Sequence, residues 1–310
     1  MGGAFAGLAD DESALYYNPA GLSFLGHTGV QSLVEQRFGS ATYGSFSIVG
    51  RYLGLGAVFI TLPNLTQRDT NGQERGKFTY SSYGLTLALG SALGELPFFT
   101  DSEILKNLGV GLSLKIYGTK TLDGGNGSTL ALDSSLLYRI PMDDIELVDE
   151  LRVGLTLENV GPQIQYQSGH QESWKTSSRI GVGAKLLDRA FDITFDTELD
   201  GTVHMGSEYR LSGPTFSELS ISQLGLRLGL VGGKGLFAFH VGLGFRLLNG
   251  LTIDYAFSLN KELPASHRLG ASYRFDMATL FCTVVREHCY LINEQTQTRS
   301  YKIQKDPPQN

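Results

Sequence analysis

Three sets of residues in this chain have types and spacing that could support chemistry. Near the start, Asp10, Asp11 and Glu12 precede the pair Tyr16-Tyr17 and the run Asn18-Pro19-Ala20-Gly21. Further along, ionised residues recur at alternating positions: Arg179, Lys185, Asp192, Asp196, Glu208, Arg210, Arg227, Arg246, Asp254, Arg268 and Arg274. Toward the end lie Cys282, His288 and Cys289. None of these sets carries an enzyme signature. The Gly-x-Gly pairs at Gly109/Gly111, Gly181/Gly183 and Gly242/Gly244 fall inside strand patterns, so they are not phosphate-binding loops at a strand-to-helix turn. Ser266-His267 has no Gly-x-Ser-x-Gly elbow, and His267 falls on an apolar face at a strand start, as an interfacial histidine would. The Cys-x6-Cys spacing of Cys282 and Cys289 fits no common zinc pattern. Either a disulfide or two unremarkable thiols suits them. No enzyme, cofactor or metal site is predicted.

The elements that position the charged residues are legible in the period of the chain. From Thr28 onward apolar residues alternate with small, polar or charged ones, which is the period of a β-strand. Phe237, Phe239, Val241, Leu243, Phe245 and Leu247 share one face, opposite Ala238, His240, Gly242, Gly244 and Arg246. The hairpin dipeptide Asn249-Gly250 follows, and Leu251 to Asn260 and His267 to Phe275 repeat the pattern. About fourteen strands of roughly nine to eleven residues are predicted, an even number of the length that crosses a bilayer at a tilt.

Alternation alone suits a soluble sandwich as well as a membrane barrel. Three features favour the barrel. The strands exceed the usual soluble length. Large apolar residues fill one face from end to end, with Tyr138, Tyr209, Tyr255, Tyr273 and Phe275 placed as an interfacial girdle. The other face combines glycine with charges of both signs, including Lys115, Arg139, Arg152, Glu158 and Glu198, which need water or one another. A closed wall provides both and pairs every backbone group. The mixed signs predict a braced lumen, unlike the one-signed ring of an ion-selective pore.

Composition agrees with this reading. The 310 residues include 39 glycines, well above a typical share of ~7%, with only two cysteines and one tryptophan. A net charge of -6 leaves no footprint for nucleic acid. No run of 18 apolar residues occurs, so no helical span is predicted. A charged region followed by an apolar stretch is also missing at the start. That fits either a cytoplasmic chain or one whose leader was removed or lies upstream. Long polar stretches at 63–79, 118–129 and 160–177 are predicted as loops at one end of the barrel. Those at 91–107 and 140–150 fall at the other end, the latter with a short helix starting at Asp143 or Asp144.

The stretch "GGAFAGLADDESALYYNPAGLSFL" resembles the start of the FadL/TodX superfamily of outer-membrane barrels, most closely its PorV/PorQ-like branch. Weaker matches are "LRVGLTLENVGPQIQY", "VHMGSEYRL", "GLGFRLLNGLTIDYAFS" and "HRLGASYRF". The resemblance implies an all-β, fourteen-stranded transmembrane antiparallel barrel over residues 28–275, with residues 1–27 folded inward as a hatch. It also implies a bacterial outer-membrane location, insertion by the barrel assembly machinery and contact with outer-membrane lipid. Residues 276–310 form a tail beyond the aromatic Phe275, where such barrels usually finish. Asn18, Pro19 and Ala20 are the hatch positions that carry over.

Physical reasoning adds that Asp10, Asp11 and Glu12 can face basic wall residues such as Arg227, Arg246 or Arg268. A helical turn is predicted from Asp10 or Asp11 to Asn18, which precedes a proline. The implied function is passive uptake or binding of hydrophobic compounds such as long-chain fatty acids. The alternatives are a PorV-like component that binds exported proteins of a secretion system, and a structural barrel with an occluded lumen.

Overall fold

A computed structural model describes residues 1–275 apart from 38, 98, 100–101, 123–124, 143 and 214–219. Cys282, His288, Cys289 and the rest of the predicted tail lie outside the described residues. The first wall strands are β1 (Thr28–Arg37), β2 (Ala41–Gly50), β3 (Leu53–Arg68), β4 (Glu74–Ala92), β5 (Leu108–Lys120), β6 (Gly127–Pro141) and β7 (Val148–Val160). A short outlying hairpin follows, β8 (Ile164–Tyr166) and β9 (Gln171–Glu172). The wall then continues with β10 (Ser177–Leu186), β11 (Phe191–Glu198), β12 (Val203–Leu211) and β13 (Ile221–Gly233). It ends with β14 (Leu236–Leu247), β15 (Leu251–Asn260) and β16 (Ser266–Phe275).

Neighbouring wall strands pair antiparallel, and hydrogen bonding of β1 to β16 and of β5 to β6 closes the ring. Leaving out β8 and β9, fourteen strands make the barrel, so the predicted number and closure hold. Closure leaves no strand edge unpaired, which an apolar surrounding requires.

The side chains follow the period-two pattern. Along β6, Leu130 and Leu132 are 51% and 57% exposed, while Ala131 and Asp133 between them are 2% and 5% exposed. Leu53, Leu85, Leu112, Ile180, Phe195, Leu228, Phe245 and Leu269 continue this outward apolar belt around the wall. An uninterrupted belt of this kind would be costly in water, at about 25 cal/mol per Å² of apolar surface, so it belongs in lipid.

Several predicted boundaries are corrected. β3 and β4 run for 16 and 19 residues and pair through most of 63–79, leaving a tight connection instead of a long loop. The nineteen residues of β4 span roughly 60 Å, about twice a hydrocarbon core, so this hairpin stands well beyond the belt. The stretch 160–177 likewise contains the β8–β9 hairpin. The helix expected in 140–150 does not form among the described residues, because strand pairing takes up Ile140, Pro141 and Glu150; Asp143 itself lies outside the described residues. Tyr255 sits in the middle of β15 rather than at its end, with its hydroxyl 2.7 Å from His267 Nδ1 on the outer face.

Candidate functional site: a filled lumen

Residues 1–25 lie against the inner faces of the wall. The reason is in their composition: Ala4, Ala6, Leu8, Ala9, Ala14, Leu15, Ala20 and Leu22 are all at most 1% exposed. Small side chains let the chain pack closely, and the wall matches them with glycine. A Cβ on Gly111 would collide with Pro19 and Ala20, one on Gly154 with Ala6, one on Gly181 with Ala6 and Gly7, and one on Gly229 with Met1 and Gly2. The obstacle in each case is backbone, which cannot swing aside.

The helical turn is shorter than predicted. It covers only Ala14–Tyr17 (α1), because Asp11 Oδ1 accepts a 2.7 Å bond from the Ser13 N–H and holds the preceding residues in a turn. Asn18 is extended (φ -163°, ψ 93°), as a residue before proline prefers, and a 3₁₀ turn, Pro19–Phe24, follows.

Asn18 is fully buried and uses its whole amide. Nδ2 donates to the carbonyls of Ala6 (2.8 Å) and Leu136 (3.0 Å), and Oδ1 accepts from the Ala20 N–H at 3.1 Å. The same N–H also reaches Ser135 Oγ at 3.0 Å. Gly21 completes the turn with an N–H bond to the Asn18 carbonyl at 2.9 Å and packs against Ala9, where a side chain would collide. Asn18-Pro19-Ala20-Gly21 therefore joins two parts of the segment to the wall and lines neither of the two lumen cavities.

Asp196 makes a second attachment. Its Oδ2 accepts the N–H groups of Phe5 and Ala6, both at 2.8 Å, and Arg179 Nη1 lies 3.6 Å away. Arg179 also donates to the Gly3 carbonyl at 2.8 Å.

The acidic trio has other partners than the expected Arg227, Arg246 and Arg268. Asp10 pairs with Lys185 and lies 4.0 Å from Arg152, which itself donates to the Leu8 carbonyl. Glu12 is held by Arg274 at 2.7 Å and by His27 at 3.0 Å. Burial would raise both carboxyls, but Lys185 and Arg152 hold Asp10 at about 2, and His27 and Arg274 hold Glu12 at about 2. Asp11 behaves in the opposite way. Burial, then the charges of Glu12 and Asp10, push it up to about 6.

The expected basic partners are engaged within the wall. Arg268 bonds Glu35 at 2.8 Å, and Arg227 bonds Glu208 at 2.7 Å and also Asp254. Asp192 takes both terminal nitrogens of Arg210, at 2.7 and 2.8 Å. Among the described residues, Arg246 Nε is buried without a hydrogen-bond partner. Sequence reasoning missed the wall glycines as a seat, and also Glu35, Gln31, His27 and His204. Their only sequence signal was parity with the inward face.

Two cavities remain beside the segment. Take as proximal the end at which residue 27 enters β1. The proximal cavity, about 360 Å³, is lined by charged groups including Asp10, Lys185, Arg210, Arg246 and Arg274. The distal one, about 300 Å³, is bordered by Phe5 and Tyr17, whose rings meet edge-on at 5.6 Å, and by Leu33, Val231, His240 and Arg268.

No protein-family model and no curated protein sequence matches the chain. Its fold does match solved structures. The toluene transporter TodX of Pseudomonas putida superimposes with a TM-score of 0.52 at 12% identity, over 88% of this chain and 96% of that one. A FadL homologue of Pseudomonas aeruginosa gives 0.54 at 10% identity, over 88% and 96%. The monoaromatic hydrocarbon channel CymD gives 0.52 at 12% identity, over 87% and 93%. The likeness is one of fold: a fourteen-stranded barrel of the FadL/TodX architecture.

Proposed function

We propose that this chain is a bacterial outer-membrane barrel that binds hydrophobic small molecules and lets them pass, with residues 1–27 acting as a hatch. The observation that carries the reading is the distal cavity. It lies in a barrel whose fold matches transporters named for toluene and other monoaromatic hydrocarbons, and it brings Phe5, Tyr17, Leu33 and Val231 together with a few polar groups. Its volume, about 300 Å³, is at the low end for small-molecule sites, and its lining sets apolar side chains beside polar ones such as Gln31, His240 and Ser258. Arg268 and His240 at its rim suit an aromatic compound with a polar substituent, or the head of a fatty acid. Outer-membrane lipid around the apolar belt and insertion by the barrel assembly machinery follow from the same reading.

Native mass spectrometry of the detergent-purified protein incubated with toluene or with a long-chain fatty acid tests it. The expected result is a bound ligand that is lost on Leu33→Trp, which fills the cavity. Absence of both ligands from the folded protein would sink the reading. A PorV-like role in binding exported proteins is the second reading, favoured by the β3–β4 hairpin that extends beyond the belt. Co-purification with exported proteins after removal of that hairpin's tip, residues 63–79, separates the two readings, since only protein binding should be lost.

A further inference from the structure

The two lumen cavities share four lining residues, Asp11, Gln31, Arg227 and Asp254. They are therefore stacked along the barrel with one neck between them, on the side of the segment that faces β13 to β16 and β1. The neck is built around Arg227. Its Nε donates to Glu208 Oε1 on β12 at 2.7 Å, and its Nη1 donates to Asp254 on β15. To reach β15 the guanidinium must lie across β14, and the residue beneath it there is Gly244. A Cβ at that position would stand 3.0 and 3.1 Å from the two terminal nitrogens of Arg227 and would collide with Asp254. Gly225 does the same for Glu208, whose Oε1 would lie 3.0 Å from a Cβ there. The glycines of this arc make room for a strap of side chains laid over three strand gaps.

We propose that the Glu208–Arg227–Asp254 strap is the gate of a conduction path for small cations, running from one cavity to the other beside the N-terminal segment. Three observations support this. The proximal cavity is lined mainly by charged groups of both signs, and an apolar molecule entering it would strip water from them, so water and ions are its natural contents. At the neck three carboxylates, Asp11, Glu208 and Asp254, face two guanidinium groups, Arg227 and Arg210, the latter bonded to Glu208 at 2.7 Å, and among the described residues no cation lies within ion-pair distance of Asp11. That leaves a net negative ring, which attracts cations and repels anions. Finally, the wall beside the neck carries small residues, Ala256 and the glycines Gly242 and Gly270, and a Cβ on either glycine would not meet the segment as it would at Gly154 or Gly229. Opening therefore requires only the swing of one arginine and leaves the segment in place.

Conductance of the purified full chain in planar lipid bilayers tests the gate. Arg227→Ala should raise conductance severalfold, and under a potassium chloride gradient the zero-current potential should move toward the potassium value. Arg227→Lys, which keeps one charge but cannot bridge two carboxylates, should fall between wild type and Arg227→Ala. Adding Ala256→Trp to Arg227→Ala fills the space beside β14 to β16 and should abolish the extra current. Unchanged conductance in Arg227→Ala overturns the proposal, as does an anion-selective current, or one that survives Ala256→Trp. Heat-dependent gel migration reports whether each variant is folded. If Arg227→Ala does not assemble, Asp254→Asn releases one arm of the strap without a change of shape, and an unaltered current there is equally fatal. Toluene binding plays no part in these readouts.

Discussion

The two sides of the lumen use glycine in opposite ways. At Gly111, Gly154, Gly181 and Gly229, on β5, β7, β10 and β13, glycine admits the backbone of the N-terminal segment. At Gly225, Gly242, Gly244 and Gly270, on β13 to β16, a Cβ would meet only side chains or neighbouring wall atoms, and the cavities and the Arg227 strap lie beside these positions. One arc is a socket that holds the segment by hydrogen bonds, and the other borders cavities braced by ion pairs. The seat of the segment and the proposed passage thus use different glycines of one barrel.

The largest test of that contrast is Asp196→Ala. It strands the buried amides of Phe5 and Ala6, while Arg179 keeps Glu198 at 2.6 Å, so a loss of about 2–4 kcal/mol is expected from two unsatisfied donors. Urea unfolding in detergent measures it, and protease access to residues 1–25 should rise in parallel. Next comes a paired glycine test. Gly154→Val forces a side chain against the Ala6 carbonyl and should cost about 1–3 kcal/mol, whereas a Cβ on Gly242 meets only ordinary contacts with Arg227 and the Tyr255 carbonyl, so Gly242→Val should change stability by less than about 0.5 kcal/mol. Equal effects at the two positions would erase the distinction between the arcs.

The smallest effect is a pH dependence. Asp10 and Glu12, both held at about 2, stabilise the folded chain above the ordinary carboxylate range, and that contribution is lost as pH falls through about 2. Asp11, raised to about 6, works the other way: its contribution is full below about 3.8 and is lost as pH rises through 6. Asp11→Asn should accordingly raise the melting temperature above pH 6 and leave it unchanged near pH 4. A variant that melts earlier at neutral pH would contradict the assigned direction.

These residues also show how far the sequence could be read. The barrel was legible because lipid permits only one kind of outer face. β14 and β15, with a large apolar residue at nearly every second position, declare both their period and their orientation. Beyond the belt that constraint ends. Residues 63–79 are wet on both sides, so their pairing as β3 and β4 leaves no alternation to read.

Asn18-Pro19-Ala20 could be recognised as a unit, and its backbone break follows from the proline. Its partners Ala6 and Leu136 could not be read, since they depend on the path of the segment across a wall strand 118 residues away. The same holds for Asp10 and Lys185, 175 residues apart. Charge alone allowed Arg227, Arg246 or Arg268 as partners of the acidic trio; strand register and the shape of the socket chose others. The glycines carried no sign of which would meet backbone and which would face open space, because both kinds occupy inward positions of the same period.

The most direct measurement compares, in planar bilayers, the conductance of the intact protein with that of a chain lacking residues 2–25. If the segment fills its socket and closes the lumen, the intact protein is nearly silent and the shortened one passes large, unselective currents. Equal currents from the two would mean that the segment closes nothing, and the division of the lumen into a plugged arc and a gated one would fall.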